Sequence, residues 1–116
     1  MFKKCLKCGK VIYVVKGSGD VICCNEPMQD LIPNSVDAAF EKHVPNFEIK
    51  DTKLEVIVKH VMDDDHYIEW IALENEQGIQ MFKLKPGMEA KAIFDYTNSG
   101  ILYAYCNKHG LWKKEI

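Results

Sequence analysis

Four cysteines stand near the start of the sequence, Cys5 and Cys8 in a CLKCG motif and Cys23 and Cys24 as an adjacent pair, and a fifth stands apart at Cys106. So short a segment buries too little apolar surface to fold unaided, so these thiols must supply the crosslink. Two intervening residues let both thiolates of a CxxC motif face one metal, and the CC pair completes a tetrahedral set. Adjacent cysteines do not readily form an unstrained disulfide with each other. An odd count of five also argues against a disulfide framework. Four soft thiolates suit iron or zinc, and the spacing leaves both open; a structural zinc ribbon normally uses CxxC twice. The metal should contribute folding free energy on the order of 10 kcal/mol, by analogy with zinc-finger peptides.

Between the cysteine pairs lies a Gly17-Ser18-Gly19-Asp20 turn, flanked by Val11 to Val15 and Val21 to Ile22 like the arms of a short hairpin. Pro27 and Pro33 then bracket a linker. The pattern predicts a small metal module over residues 1–35 and a second domain over residues 36–116. Within the latter, Val36 to His43 reads as one helical turn or a short helix, stopped by Pro45. Strand signals follow at Leu54 to His60, His66 to Leu73, Ile79 to Leu84, Glu89 to Tyr96 and Ile101 to Cys106, separated by turns such as Pro86-Gly87 and Asn98-Ser99-Gly100. Five such strands, with room for one before and one after, predict an antiparallel β-sandwich.

An apolar share of 47% and a charged share of 28% fit a soluble globular protein. The net charge is −2 and all fifteen basic residues are lysines, so no arginine fork is available to read phosphates or base edges. Nucleic acid is therefore not an expected partner. The run Val11 to Val15 is far shorter than a signal-peptide core or a membrane span, which places the expected location in the cytoplasm and away from membranes.

All four histidines fall in the second segment. His60 ends one expected strand and His66 begins the next, so a hairpin would bring both imidazoles to one end of a sheet. His66 shares parity with Ile68 and Trp70, which points it to the covered side. Cys106 and His109 lie together in YCNKHGLW, and His43 arrives from the loop before the sheet. Each histidine alone is more simply a surface or packing residue. Together, with none left over and with the one cysteine unused by the first cluster, they form a ligand set. Imidazoles with a lone thiolate suit iron, copper, nickel or zinc. Five protein ligands leave one octahedral position open, the mark of a reactive centre. A thiolate opposite it pushes electron density toward a bound oxygen species. Glu41 and Lys42, otherwise plain surface charges, would stand beside that position: Lys42 to attract an anion, Glu41 to fill the vacancy in the oxidised state.

These residues resemble the desulfoferrodoxin family of two-iron superoxide reductases over nearly the whole chain. CLKCG followed by CCNEPM is similar to its desulforedoxin-like module, and EKHVP, HVMDDDHYIEWI and YCNKHGLW are similar to the ligand motifs of its superoxide reductase domain. The resemblance implies a first iron held by Cys5, Cys8, Cys23 and Cys24. It implies a second held by His43, His60, His66 and His109 in the equatorial plane, with Cys106 axial. It further implies Glu41 and Lys42 on a loop over the open position, an immunoglobulin-like sandwich, a homodimer, an anaerobic or microaerophilic host, and rubredoxin as electron donor. Two positions depart from the family pattern: Val61 stands where proline is frequent, and Asn25 where glycine is. The implied reaction is one-electron reduction of superoxide to hydrogen peroxide without release of oxygen. The rival readings are an iron electron carrier without superoxide chemistry, a zinc-binding adaptor, and a thiol-disulfide oxidoreductase built on Cys5 and Cys8.

Overall fold

The pattern of short β-branched runs cut by turn residues leads to an almost all-β chain. The computed structural model describes residues 1–116 and divides into two units, Met1–Ile32 and Pro33–Ile116. No helix is long and apolar enough to cross a membrane.

The first unit contains β1 (Phe2–Lys4), β2 (Val11–Tyr13), β3 (Ile22–Cys23), β4 (Glu26–Pro27) and β5 (Gln29–Asp30). The hairpin expected around Gly17 to Asp20 does not form. β2 pairs instead with β1, in the register Lys3↔Ile12, and β5 covers the other side of β1. The reason lies in the CxxC loop, which is itself the turn: Gly9 N–H donates to Cys5 C=O at 2.9 Å and Cys5 N–H to Lys10 C=O at 2.8 Å. β3 and β4 form a second hairpin, in which Cys23 faces Glu26. Its two turn residues, Cys24 and Asn25, both have positive φ, 52° and 63°. That is the type I′ geometry whose twist matches a two-stranded ribbon, and asparagine is among the few non-glycine residues that tolerate it.

The second unit begins with a 3₁₀ turn over Phe40–Lys42, within the stretch Val36 to His43 that reads as one helical turn or a short helix. Seven strands follow: β6 (Asn46–Lys50), β7 (Lys53–Ile57), β8 (Ile68–Asn75), β9 (Gly78–Lys83), β10 (Lys91–Asp95), β11 (Ile101–Cys106) and β12 (Gly110–Glu115). They make one sheet of three strands, β10-β7-β6, and one of four, β12-β11-β8-β9, all antiparallel. This is the seven-strand complement of an immunoglobulin-like sandwich. Its core gathers Leu54, Val56 and Val58 with Ala92 and Phe94 from one sheet against Ile68, Ile71, Leu73, Leu102, Ala104 and Cys106 from the other.

Two details position the site. Pairing of β8 with β11 shifts register between Tyr105 and Cys106, because Glu69 is an extra residue on β8. Ile68 and Ile71 therefore both enter the core, whereas Trp70 leaves it and stacks on Tyr105 at 5.4 Å. The simple alternation expected for His66, Ile68 and Trp70 ends at this bulge. At the other edge Asn34 takes a left-handed conformation, φ 58°, and docks on β12. Its N–H donates to Leu111 C=O, and its side-chain oxygen accepts the Lys113 N–H, each at 2.9 Å. The segment entering the 3₁₀ turn is thereby tied to the sheet.

Candidate metal centres

The two sheets bring the second ligand set together by a route other than a hairpin. β7 and β8 belong to different sheets, so Val58 to Tyr67 is a crossover between layers. Neither His60 nor His66 lies in a strand; a lone bridge between Asp63 and His66 folds the crossover back on itself. The two rings nevertheless meet, centroids 4.6 Å apart and planes at 88°. Cys106 ends β11, and Gly110 opens β12 with φ 77°. The loop between them holds three residues and needs a left-handed residue to close, which glycine supplies. This tight turn carries His109 beside Cys106. His43 caps the 3₁₀ turn, where its own N–H donates to Phe40 C=O.

The four imidazoles form a closed square. His43 lies 4.8 Å from His60 and 5.0 Å from His109, and His66 lies 5.0 Å from His109, with neighbouring planes at 69°, 88° and 76°. The donor atoms of the four histidines and of Cys106 all lie within 4.8 Å of one another. Cys106 Sγ is 3.4 Å from His60 Nε2 and 3.8 Å from His109 Nδ1. Cys106 is fully buried and His43 nearly so.

Main-chain carbonyls fix which nitrogens face inward. His43 Nδ1 lies 2.6 Å from Ala39 C=O, and His60 Nδ1 lies 2.5 Å from Val61 C=O. Each ring then donates Nδ1–H outward and presents Nε2 with a free lone pair. His43 Nε2 points to His109 Nδ1 at 3.1 Å. His66 Nε2 is buried with no hydrogen-bond partner in the protein. A buried, unsatisfied nitrogen is costly unless a cation receives its lone pair. Burial pushes the His60 and His66 imidazoles below their ordinary value, and the neighbouring histidines add to the fall. Both are held in the neutral form that ligates.

One buried indole supports two corners of this square. The Trp112 ring stacks on His43 at 4.8 Å and 27°, and its Nε1–H donates to His109 C=O at 3.1 Å. Phe40 meets Trp112 edge-on at 5.7 Å. Sequence reasoning missed this support; the signal was present in YCNKHGLW, where Trp112 follows His109 by three residues. Glu41 and Lys42 are both exposed in the 3₁₀ turn that leads into His43.

The thiols of Cys5, Cys8, Cys23 and Cys24 also converge within 4.8 Å, Cys8 Sγ being 3.7 Å from Cys23 Sγ. The I′ turn explains how adjacent cysteines share one centre, since its left-handed Cys24 turns that thiol back toward its neighbour. The Cys8 backbone N–H lowers the Cys5 thiol to about 6, whereas contact with the thiols of Cys8, Cys5 and Cys23 pushes Cys24 up to about 12. Four thiolates so close together repel, and a cation is needed to hold them all ionised.

The family signature described as desulfoferrodoxin matches residues 35–115, and that of the desulfoferrodoxin N-terminal domain matches residues 2–31. The chain belongs to the desulfoferrodoxin family. Among curated members, the desulfoferrodoxin of Clostridium acetobutylicum is 41% identical over 112 residues, covering 93% of this chain and 90% of that one. The desulfoferrodoxin homolog of Archaeoglobus fulgidus is 40% identical over 115 residues, covering 95% and 92%. Among solved structures, the superoxide reductase from Treponema pallidum superimposes with a TM-score of 0.77 at 28% identity, covering 98% of both chains. The desulforedoxin-like module and β-sandwich of the family are both present, and the four-cysteine and four-histidine-one-cysteine clusters suit its two iron centres. The donor chemistry fits: four soft thiolates in one cluster, neutral imidazoles with one buried thiolate in the other.

Proposed function

We propose that the chain is a superoxide reductase, converting superoxide to hydrogen peroxide at the cluster of His43, His60, His66, His109 and Cys106. The observation that carries this reading is the closed square of perpendicular imidazoles with a buried thiolate beside it and an orphaned His66 Nε2 within it. When bound there, iron supplies the single electron that the reaction needs. The protein's part is to hold four neutral nitrogens in fixed tautomers and to keep Cys106 away from water, so that its thiolate remains an electron donor.

Lys42, exposed in the turn before His43, draws the anionic substrate toward the cluster against a net charge of −2. Glu41 beside it is the carboxylate we assign as the residue that would ligate the iron once it is oxidised. All four histidines are engaged in the square, so none remains as a general acid and the protons come from solvent. Cys5, Cys8, Cys23 and Cys24 hold the second iron, with the exposed Cys8 and Cys24 offering a donor access to it. Family resemblance extends the reading to rubredoxin as that donor and to a homodimer, and the short apolar run Val11 to Val15 extends it to a cytoplasmic location.

The test is to reduce the iron-loaded chain, add a measured amount of superoxide, and quantify peroxide and oxygen together. One peroxide per superoxide with no oxygen is the expected result. Half that peroxide with matching oxygen means a dismutase, and no acceleration returns the chain to the role of electron carrier.

A further inference from the structure

One polar side chain joins the two loops that build the four-histidine cluster without being one of its ligands. The β8–β11 ladder ends at the pair Cys106↔Ile68. Beyond it Asn107 continues the pairing alone. Its N–H donates to Tyr67 C=O at 3.2 Å, its side-chain oxygen accepts the Tyr67 N–H at 3.0 Å, and its side-chain nitrogen donates to Asp65 C=O at 3.0 Å. The carboxamide thus grips the chain on both sides of His66, at the residue before it and the residue after it. The same residue is covalently next to Cys106. A peptide segment bonded at both flanks keeps little freedom of its own, and that restrains His66, whose buried Nε2 is left without a protein partner and so is free for a cation.

We propose that Asn107 is the positioning residue for His66, setting its ring against Cys106 and His109 and so fixing the fourth corner of the imidazole square. The assignment rests on reading the cluster as an iron site. Asparagine suits the task because it donates and accepts at once; an aspartate there keeps the acceptor for Tyr67 N–H but sets a carboxylate against Asp65 C=O.

The experiment is a double-mutant cycle on the iron-loaded full chain. Ferrous iron at the histidine cluster is competed away with a chelator, while the four-cysteine iron is followed by its own thiolate absorption. Asn107→Ala is expected to weaken retention by about 10- to 100-fold, the usual cost of losing a ligand's supporting bond. Asn107→Asp should fall between this and the unaltered chain. His66→Ala combined with Asn107→Ala should be no weaker than His66→Ala alone, because the support has nothing left to hold. A clamp that served only the fold would weaken retention by the same factor in both backgrounds, and that outcome, or unchanged retention in Asn107→Ala, overturns the assignment. Should Asn107→Ala fail to fold, Asn107→Asp carries the same cycle. An unaltered chain that holds no second iron overturns the metal reading together with this one.

Discussion

Replacing Trp112 by phenylalanine isolates what the buried indole does for the site. Phenylalanine keeps an aromatic face for His43 and an edge for Phe40, but it cannot donate to His109 C=O, which the indole reaches at 3.1 Å. Stranding that carbonyl should cost about 1 to 3 kcal/mol. Trp112 is 1% exposed, so the lost ring atoms leave a void worth roughly a further 1 to 2 kcal/mol. The total is about 2 to 5 kcal/mol. With a urea m-value of roughly 1.5 kcal/mol/M, the unfolding midpoint should drop by about 1.3 to 3.3 M. The chain has two tryptophans, both in the unit Pro33–Ile116, so Trp70 emission alone reports unfolding of the variant. The metal-free chain is the right sample, since ligation would otherwise add its own stability. Phe40→Ala serves as the control; that residue is 54% exposed, and its loss should cost under about 1 kcal/mol. A midpoint change below about 0.5 M for Trp112→Phe, given the same slope, would refute the argument that the indole is a structural member of the cluster.

Lys42→Ala should slow the second-order reaction with superoxide at low ionic strength, and the difference should shrink as salt is added; an unchanged rate in stopped-flow at low salt removes the steering role. In the metal-free chain, His60 and His66 titrate below the ordinary 6.5, so beneath that pH the unfolded chain takes up protons that the folded one refuses. The contribution of these two histidines to the stability of the unit Pro33–Ile116 should therefore be flat above about pH 6.5 and decline as pH falls below it, which urea midpoints followed by tryptophan emission at pH 7.5 and 5 will show. Stripping the four-cysteine iron should unfold the first unit, whose buried apolar residues are Phe2, Cys5 and Met28, while amides of β8 and β11 stay protected in hydrogen exchange.

The sandwich was legible because each strand carries its own alternation and its own turn residues, and the core members Leu54, Val56, Phe94 and Leu102 lie inside predicted strands. The first unit was less so. With strands of two or three residues, alternation has too little length to choose a partner, and the hairpin drawn around Gly17 lost to the turn made by the CxxC loop. The ligand set could be named from residue types, but the path joining His60 to His66 could not. A hairpin and an interlayer crossover of the same length have the same composition; only the partners of β7 and β8 distinguish them. The bulge at Glu69 was hidden for a related reason, since an extra residue appears in pairing and not in sequence.

Two corners of the imidazole square are oriented by the carbonyls of Ala39 and Val61. A carbonyl survives every side-chain replacement, proline included. Tautomer control is thus written into the path of the main chain, and mutation at those positions can alter bulk, polarity or stiffness without deleting the acceptor. Valine and proline at position 61 would serve His60 alike, because the atom that does so is common to both. Genetic drift at residues 39 and 61 is chemically silent toward the ligands so long as the backbone keeps its course. A screen for inactivating substitutions would accordingly pass over two of the atoms on which the centre depends.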